Sequence, residues 1–305
     1  MKILLNIKAN SCRAAEKWGK AGPVIMQMFP GAGIIEAGES AYEKIAEAAE
    51  EGEREFISAG GDGTMNFLVN ALAMNYSCLD TGAFRIGAVG LGSSNDFHKP
   101  YTKFICGVPV RINFQNCEPA DLGILKYTDD RTTLRTKYWV INSSIGVLAD
   151  ANKYFNHKGV FWDYLKRKFL NEAILYAGLR SIALNRSIKC RILSGGAESN
   201  TIISNLGITK NPNFAGSFRY PYAMEPACGK FGVHLIEKQN TVSLIKTLVR
   251  LSNNYDKPLL NITTGQSGFL KVTSEKLFAV EYDGEVITTK RAEFNIKKAG
   301  IFLCK

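Results

Sequence analysis

Phe56-Ile57-Ser58-Ala59-Gly60-Gly61-Asp62-Gly63-Thr64-Met65-Asn66 is the stretch on which the reading of this chain turns. A strand-like run enters three glycines within four positions and leaves into a segment, Thr64 to Met74, with the apolar spacing of a helix. Glycines there predict a turn with positive φ and close approach to a ligand, and the helix start that follows offers unpaired N–H groups to phosphate. Asp62 would repel a phosphate placed directly against it, so it is expected to organise a divalent cation or water. A Gly-Asp-Gly tripeptide alone is also a common capped turn; the longer Gly60-Gly61-Asp62-Gly63-Thr64 between strand and helix is the more specific pattern.

A second loop of the same kind follows at Ile86-Gly87-Ala88-Val89-Gly90-Leu91-Gly92-Ser93-Ser94-Asn95-Asp96-Phe97. By itself it is weak, because it lacks the third glycine of a dinucleotide fingerprint. Two such loops at successive strand ends, however, fall on the carboxyl edge of one sheet, where α/β folds bind ligands. No Gly-x-x-x-x-Gly-Lys-Ser/Thr occurs, which excludes a P-loop kinase.

Outward from these loops, Ile3 to Ile7, Ser40 to Glu51, Glu55 to Ser58, Thr64 to Met74 and Arg85 to Val89 alternate strand and helix, as in a parallel α/β layer. From about Leu122 the pattern becomes β-rich: Tyr138 to Ile145, Ser187 to Leu193, Thr201 to Ser204 and Gly232 to Ile236, with helical stretches near 148–184 and 241–253. We therefore expect an α/β domain followed by a mainly antiparallel β domain, with the crossover near 115–125. At 305 residues and 46% hydrophobic content the chain can bury two cores. No run of about 18 apolar residues predicts a membrane-spanning helix, and Met1 to Ile7 reads as a first strand rather than a secretion signal, so a cytoplasmic location is expected. Seven scattered cysteines without a Cys-x-x-Cys pair, and three isolated histidines, suggest neither a disulfide framework nor a zinc centre.

The formal charge of +10 is unevenly placed. Residues 1–150 carry 15 basic against 17 acidic side chains, residues 151–250 carry 15 against 5, and residues 251–305 carry 8 against 6. The positive field of the middle segment suits anionic lipid, nucleic acid or a phosphorylated substrate. Between Tyr154 and Arg191, Phe155, Phe161, Trp162, Tyr164, Leu165, Phe169 and Leu170 interleave with Lys158, Lys166, Arg167 and Lys168. This pattern fits a helix at a membrane surface or a core-facing helix with a wet lysine side. With no RNA-recognition, zinc-finger or helix-turn-helix signature beside it, nucleic acid is not expected as a partner. A last constellation, Glu281-Tyr282-Asp283-Gly284-Glu285, holds acids around the commonest hairpin-turn pair, and taken alone reads as a turn.

Taken in order, Gly60-Gly61-Asp62-Gly63-Thr64, Gly92-Ser93-Ser94-Asn95-Asp96-Phe97, Asp121-Leu122-Gly123 and Asp283-Gly284-Glu285 resemble the diacylglycerol kinase catalytic family. The resemblance is more narrowly to the soluble bacterial lipid kinases, relatives of the sphingosine kinases and more distantly of the NAD kinases. It implies a Rossmann-like, NAD kinase-like α/β nucleotide domain over 1–120, with the last C-terminal strands able to pack back onto it, and a β-sandwich lipid domain over 121–305. It further implies an interdomain cleft in which ATP and Mg2+ meet a lipid hydroxyl. Asn6 to Ser11 and Gly60, Gly61, Asp62, Gly63, Thr64 and Asn66 would hold ATP, joined by Ser93, Asn95 and Asp96. Asp62, Asp96 and Asp121 would organise magnesium, and Glu285 would accept the proton with Asp283 beside it, as phosphoryl transfer requires of one carboxylate near the attacking hydroxyl.

The implied activity is transfer of the γ-phosphate of ATP to diacylglycerol or a similar membrane lipid by a cytoplasmic enzyme peripheral to an anionic membrane, with a homodimer left open. The competing readings are a soluble-substrate kinase of the NAD kinase type and a non-catalytic lipid- or nucleotide-binding relative. The chain departs from the family pattern at Phe67, where a Glu is usual, at Gly90-Leu91-Gly92-Ser93, which replaces Pro-x-Gly-Thr, and in its first loop, which lacks the Asn-Pro and Ser-Gly pairs. Cys228 stands where the family usually places an Asp of a structural magnesium site, and a thiol suits a hard cation poorly.

Overall fold

The computed structural model describes residues 1–10, 13–75, 83–129, 131, 133–156, 164, 168–184, 186–252 and 261–305. Ser11 lies outside these residues, as do Lys158, Phe161, Trp162, Leu165, Lys166 and Arg167 of the basic aromatic segment. The chain divides into one unit of Met1–Leu122 with Lys297–Lys305 and a second of Gly123–Ile296.

The first unit is built on β1 (Lys2–Leu5), α1 (Ala14–Met28), β2 (Gly33–Glu36), α2 (Ala41–Glu50), β3 (Glu55–Gly60), α3 (Asp62–Asn75) and β4 (Arg85–Gly90). Strands pair in parallel in the order β2-β1-β3-β4. The strands are short and apolar because helices cover both faces, which is why β3 and β4 read as continuous buried runs rather than as alternation. Ile3, Ile57, Ala59 and Val89 meet Ala14, Ala21 and Ile25 of α1 in one core cluster. The sheet continues past β4: Phe302 and Leu303 run parallel to Arg85 and Ile86, and β6 (Val108–Arg111), which β5 (Phe104–Ile105) joins in a hairpin, pairs antiparallel with Ala88 and Val89.

The second unit is antiparallel throughout its described pairings. After β7 (Cys117–Thr128), which begins in the first unit, come β8 (Leu134–Trp139), β9 (Asn142–Gly146), α4 (Val147–Phe155) and α5 (Leu170–Leu184). The chain continues through β10 (Ile188–Ser194), β11 (Ala197–Thr209), the short β12 (Asn213–Phe214) and β13 (Phe218–Arg219), then β14 (Phe231–Glu237), α6 (Thr241–Ser252), β15 (Thr263–Ser267), β16 (Phe269–Tyr282) and β17 (Glu285–Cys304). β14 lies between β11 and β15, and β10 between β11 and β16. A core of Trp139, Ile145, Leu206, Phe231, Val280 and Phe294 forms between the strands, and a second, of Val147, Ile182, Tyr220, Ile236, Leu244 and Leu251, under the helices.

Gly123 belongs to this core for a steric reason: opposite it on β8 stands Trp139, and a Cβ at Gly123 would fall 2.1 Å from the indole.

The β-rich runs expected of this part fall on strands. Tyr138 to Ile145 spans the end of β8 at Trp139 and the start of β9 at Asn142, with a break where the Val140 and Ile141 amides turn away from the ladder to the Asp283 carboxylate. Thr201 to Ser204 lies within the longer β11.

Candidate active site

The two glycine loops are adjacent because their strands are. Gly60 pairs with Gly90, so the chain leaves β3 and β4 at the same level of the sheet, beside Asn6 at the end of β1. The Leu91 and Gly92 amides both donate to Gly60 O, at 2.8 and 3.1 Å. Positive φ, expected of these glycines, is found at neither Gly60, Gly61, Gly90 nor Gly92. Their lack of a side chain serves contact between the loops instead. A Cβ on Gly92 would lie 2.5 Å from Gly61 Cα, and one on Gly60 would lie 2.2 Å from Thr64 Oγ1.

Asp62, the first residue of α3, spans the same junction. One carboxylate oxygen accepts the Asp96 N–H and the other the Phe97 N–H, both at 3.1 Å, which caps the short 3-10 turn Asp96–His98. Asp96 in turn holds the Lys99 ammonium at 2.6 Å, with both side chains largely buried. Asn95, at φ 47°, donates through Nδ2 to Gly90 O at 3.1 Å and to Gly92 O at 3.3 Å. Asn6 Nδ2 donates to Thr64 Oγ1 at 3.1 Å, joining the first loop to α3. Asn66 is buried and pairs with Asn70 one turn on, Nδ2 to Oδ1 at 3.1 Å. Ser93 is exposed at the tip of the second loop. Asn6, Gly60, Gly61, Asp62, Thr64, Asn95 and Asp96 therefore form one bonded cluster, with Gly63 in the first turn of α3.

Two cations join this cluster that the sequence did not single out. Lys17 on α1 reaches Gly92 O at 2.8 Å, where Asn10 Nδ2 also donates at 3.4 Å. Partial burial, and secondarily Arg13, lower the Lys17 pKa. Lys17 and Lys99 offset the negative charge of Asp62 and Asp96, Lys99 as the ion-pair partner of Asp96. A lysine at that spacing inside a helix carries no local signal; only the tertiary approach of α1 to β4 reveals it.

The third expected magnesium residue lies elsewhere. Asp121 is buried and accepts the Ala299 N–H at 3.0 Å, fixing a backbone irregularity in β17 where Ala299 has φ 51°. Among the described residues no three His, Cys, Asp or Glu side chains converge as a metal centre. Asp62, Asp96 and Asp121 thus do not make a three-carboxylate site. Asp62 and Asp96 do supply the hard oxygen donors that magnesium takes when it is carried mainly by nucleotide phosphates, which needs only one or two carboxylates.

In the second unit, Tyr282 and Glu285 pair across the two-residue turn Asp283-Gly284, whose φ values of 46° and 94° are those of a type I′ turn. The two acids of this turn have opposite environments. Asp283 is buried, and its carboxylate accepts three backbone N–H groups: Val140 at 2.7 Å, Ile141 at 2.9 Å and Asn142 at 3.0 Å. These bonds hold the β8–β9 junction and fix Asp283 beside Glu285 in the turn. Glu285 itself is exposed at the head of β17. A third acid, Glu281, passed over in the sequence, is buried and accepts the Ser144 hydroxyl at 2.9 Å and the Gly284 N–H at 2.8 Å, bracing the turn from the other side.

Residues 1–109 match the family model of the diacylglycerol kinase catalytic domain. The match covers both glycine loops and ends within β6, short of Asp121, Cys228 and the Asp283 hairpin. A putative diacylglycerol kinase from Bacillus anthracis str. Sterne has a similar fold, with a TM-score of 0.73 over 99% of this chain and 94% of that one at 14% identity. A second diacylglycerol kinase structure from the same organism gives 0.66 at 13% identity, over 99% and 95% of the two chains. Yeast NADH kinase complexed with NADH gives 0.52 at 9% identity, over 99% and 82%. No curated protein matches the sequence significantly. The departure at Phe67 from the diacylglycerol kinase pattern has a packing role, since its ring meets Tyr42 of α2 edge-on at 6.4 Å.

Proposed function

We propose that this chain is an ATP-dependent lipid kinase that transfers the γ-phosphate to a hydroxyl of diacylglycerol or a similar membrane lipid. The observation that carries the reading is the pair of interlocked glycine loops at the carboxyl ends of β3 and β4, inside the segment that matches the diacylglycerol kinase catalytic domain. In this reading the start of α3 and the Gly90–Ser93 backbone receive the ATP phosphates, and Lys17 and Lys99 neutralise their charge. Asp62 and Asp96 are the residues to hold magnesium, which when bound would supply charge neutralisation on the transferring phosphoryl group. Asp62 also keeps the second loop in place. Glu285, exposed and free of the structural duty that occupies Asp283, takes the proton from the lipid hydroxyl as its oxygen forms the new P–O bond and the bond to ADP breaks. The second unit is read as the lipid domain, a β-sandwich around the Trp139 core.

A lipid rather than a soluble acceptor is favoured by the outer faces of α5 and α6. Val242, Ile245 and Val249 form an exposed stripe along α6, with Lys246 and Arg250 beside it and no acid on the helix. On α5, Leu175, Tyr176 and Leu179 are exposed beside Arg180, whose guanidinium covers the Tyr154 ring at 4.1 Å. Apolar stripes flanked by cations suit the headgroup region of an anionic membrane. Among the described residues no helix is long and apolar enough to cross one.

The test is incubation of the pure protein with γ-labelled ATP, magnesium and anionic vesicles carrying an extracted lipid pool. Label in the organic phase is the expected result. Label that enters only added soluble metabolites, without need of vesicles, would select the NAD kinase-type reading; nucleotide binding without any product would select the non-catalytic one.

A further inference from the structure

The structural magnesium site implied by the resemblance meets a different arrangement in this chain. Lys210, the residue after β11, is buried, and its backbone N–H is fixed to Ile141 O at 2.9 Å. Its Nζ donates to Glu225 O at 2.8 Å and to Lys230 O at 2.9 Å, and lies 3.6 Å from Cys228 Sγ. These acceptors all belong to the irregular stretch between β13 and β14, and Gly229 within it has φ 74°. The backbone there curls so that two carbonyl oxygens and a sulfur face one point, and a charged group is already at that point.

The donor set does not fit magnesium. That ion takes about six oxygens in tight octahedral geometry, whereas a thiol is a soft ligand. The Lys210 side chain also occupies the point where an ion would sit, and the two carbonyl oxygens there already accept its hydrogen bonds, as a buried polar group requires.

We infer that Lys210 is the permanent, covalently attached cation of this loop, closing residues 222–230 without a metal and making the second unit independent of divalent ions. The inference concerns the fold of that unit and stands whether or not the chain is a kinase. It also implies that shortening the side chain leaves a carbonyl-lined hole able to take a free alkylammonium ion.

The experiment uses the full chain without nucleotide and reads the thermal midpoint together with hydrogen exchange of residues 222–230, in chelator and in magnesium. Wild type is expected to give the same values in both. Lys210→Ala should speed exchange in that segment by about tenfold or more, as for a local opening made easier, and propylammonium should restore protection where magnesium does not. Adding Cys228→Asp to Lys210→Ala should create a magnesium response. Protection in wild type that falls on chelation would overturn the inference, as would Lys210→Ala with unchanged exchange. If Lys210→Ala does not fold, the chelator comparison on wild type still decides.

Discussion

The Asp62 carboxylate and the Asp96 backbone N–H, 34 residues apart in sequence, lie 3.1 Å apart, and the other Asp62 oxygen takes the Phe97 N–H at the same distance. The aspartate that looks like a metal ligand in the sequence is thus also the clamp that sets the second glycine loop against the first. Hydrogen bonds to a charged group contribute about 1.5–3 kcal/mol each. Asp62→Ala should therefore lower both the denaturant midpoint and nucleotide affinity, and Asp62→Asn should recover part of the stability. A variant with full stability and no nucleotide binding would make Asp62 a ligand only; calorimetric titration beside a urea melt separates the two.

Gly92→Ala tests the loop contact with a single methyl. Its Cβ would sit 2.5 Å from Gly61 Cα, a backbone atom that has nowhere to yield. Overpacking of this kind costs about 1–3 kcal/mol, and the loops should part enough to abolish nucleotide binding while secondary structure by circular dichroism stays native.

The two acids of the Asp283-Gly284-Glu285 turn should respond oppositely. Asp283→Asn replaces one acceptor oxygen with a donor facing backbone N–H groups, and each buried donor left unsatisfied costs about 1–3 kcal/mol, so the variant should melt early. Glu285→Gln, at an exposed position, should leave the melt unchanged while phosphoryl transfer drops by about 10²–10⁴-fold, the usual loss for a general base. Full activity in Glu285→Gln would remove it from the proposed mechanism.

Much of the first unit could be read from the chain because its signals are local. Strand, glycine turn and helix at 56–74 follow one another in sequence, and β3 and β4 are neighbours, so the coincidence of the two loops needed no long-range information. What the glycines face was not legible: the approach of Gly92 to Gly61 is tertiary, and no spacing distinguishes it from room for a phosphate. Lys17 reaches its partner from 75 residues away. Asp283 reaches Val140 from 143, which is why a turn-forming Asp-Gly pair and a buried clamp look alike in the sequence. The basic charge of residues 151–250 was countable, but its pairing with the apolar stripe of α6 appears only when the buried side of that helix, Leu244, Thr247 and Leu251, is known.

Stability should also report on the two buried histidines. His98 and His234 are each lowered to about 4 from 6.5, chiefly by burial, with Arg111 and then Lys17 adding to the effect at His98. His234 stacks on Tyr220 at 4.0 Å and shares a contact with Thr209 Oγ1 at 3.1 Å. Because the unfolded chain binds these protons first, their contribution is present above pH 6.5 and is lost as the pH falls toward 4. At about 1.36 kcal/mol per unit, each is worth about 3 kcal/mol across that window. Urea midpoints between pH 7 and 4.5 should fall steeply in wild type and less steeply in His234→Gln.

Membrane docking through the helices has its own measurement. Val249→Glu with Leu179→Glu places acids in both exposed stripes and should reduce sedimentation with anionic vesicles about tenfold, about 1.4 kcal/mol, with no change in nucleotide affinity. Equal loss of binding to neutral and anionic vesicles would assign the effect to apolar contact alone.

Residues 297–305 complete the first unit: Leu303 pairs with Ile86, Ala299 supplies the N–H that Asp121 holds, and Asn113 donates to Lys305 O at 3.0 Å. On the ribosome, then, the sheet of the first unit emerges early, before Phe302 and Leu303 are there to pair with Arg85 and Ile86 of β4 and before the Ala299 N–H can reach Asp121, and it waits for the whole second unit to be made. The order of synthesis and the order of assembly cannot coincide in this chain. A transcript or nascent chain broken anywhere in the second half would leave the glycine loops made but their sheet unfinished, so that the sheet beneath the loops is completed only in molecules whose translation has run through Leu303.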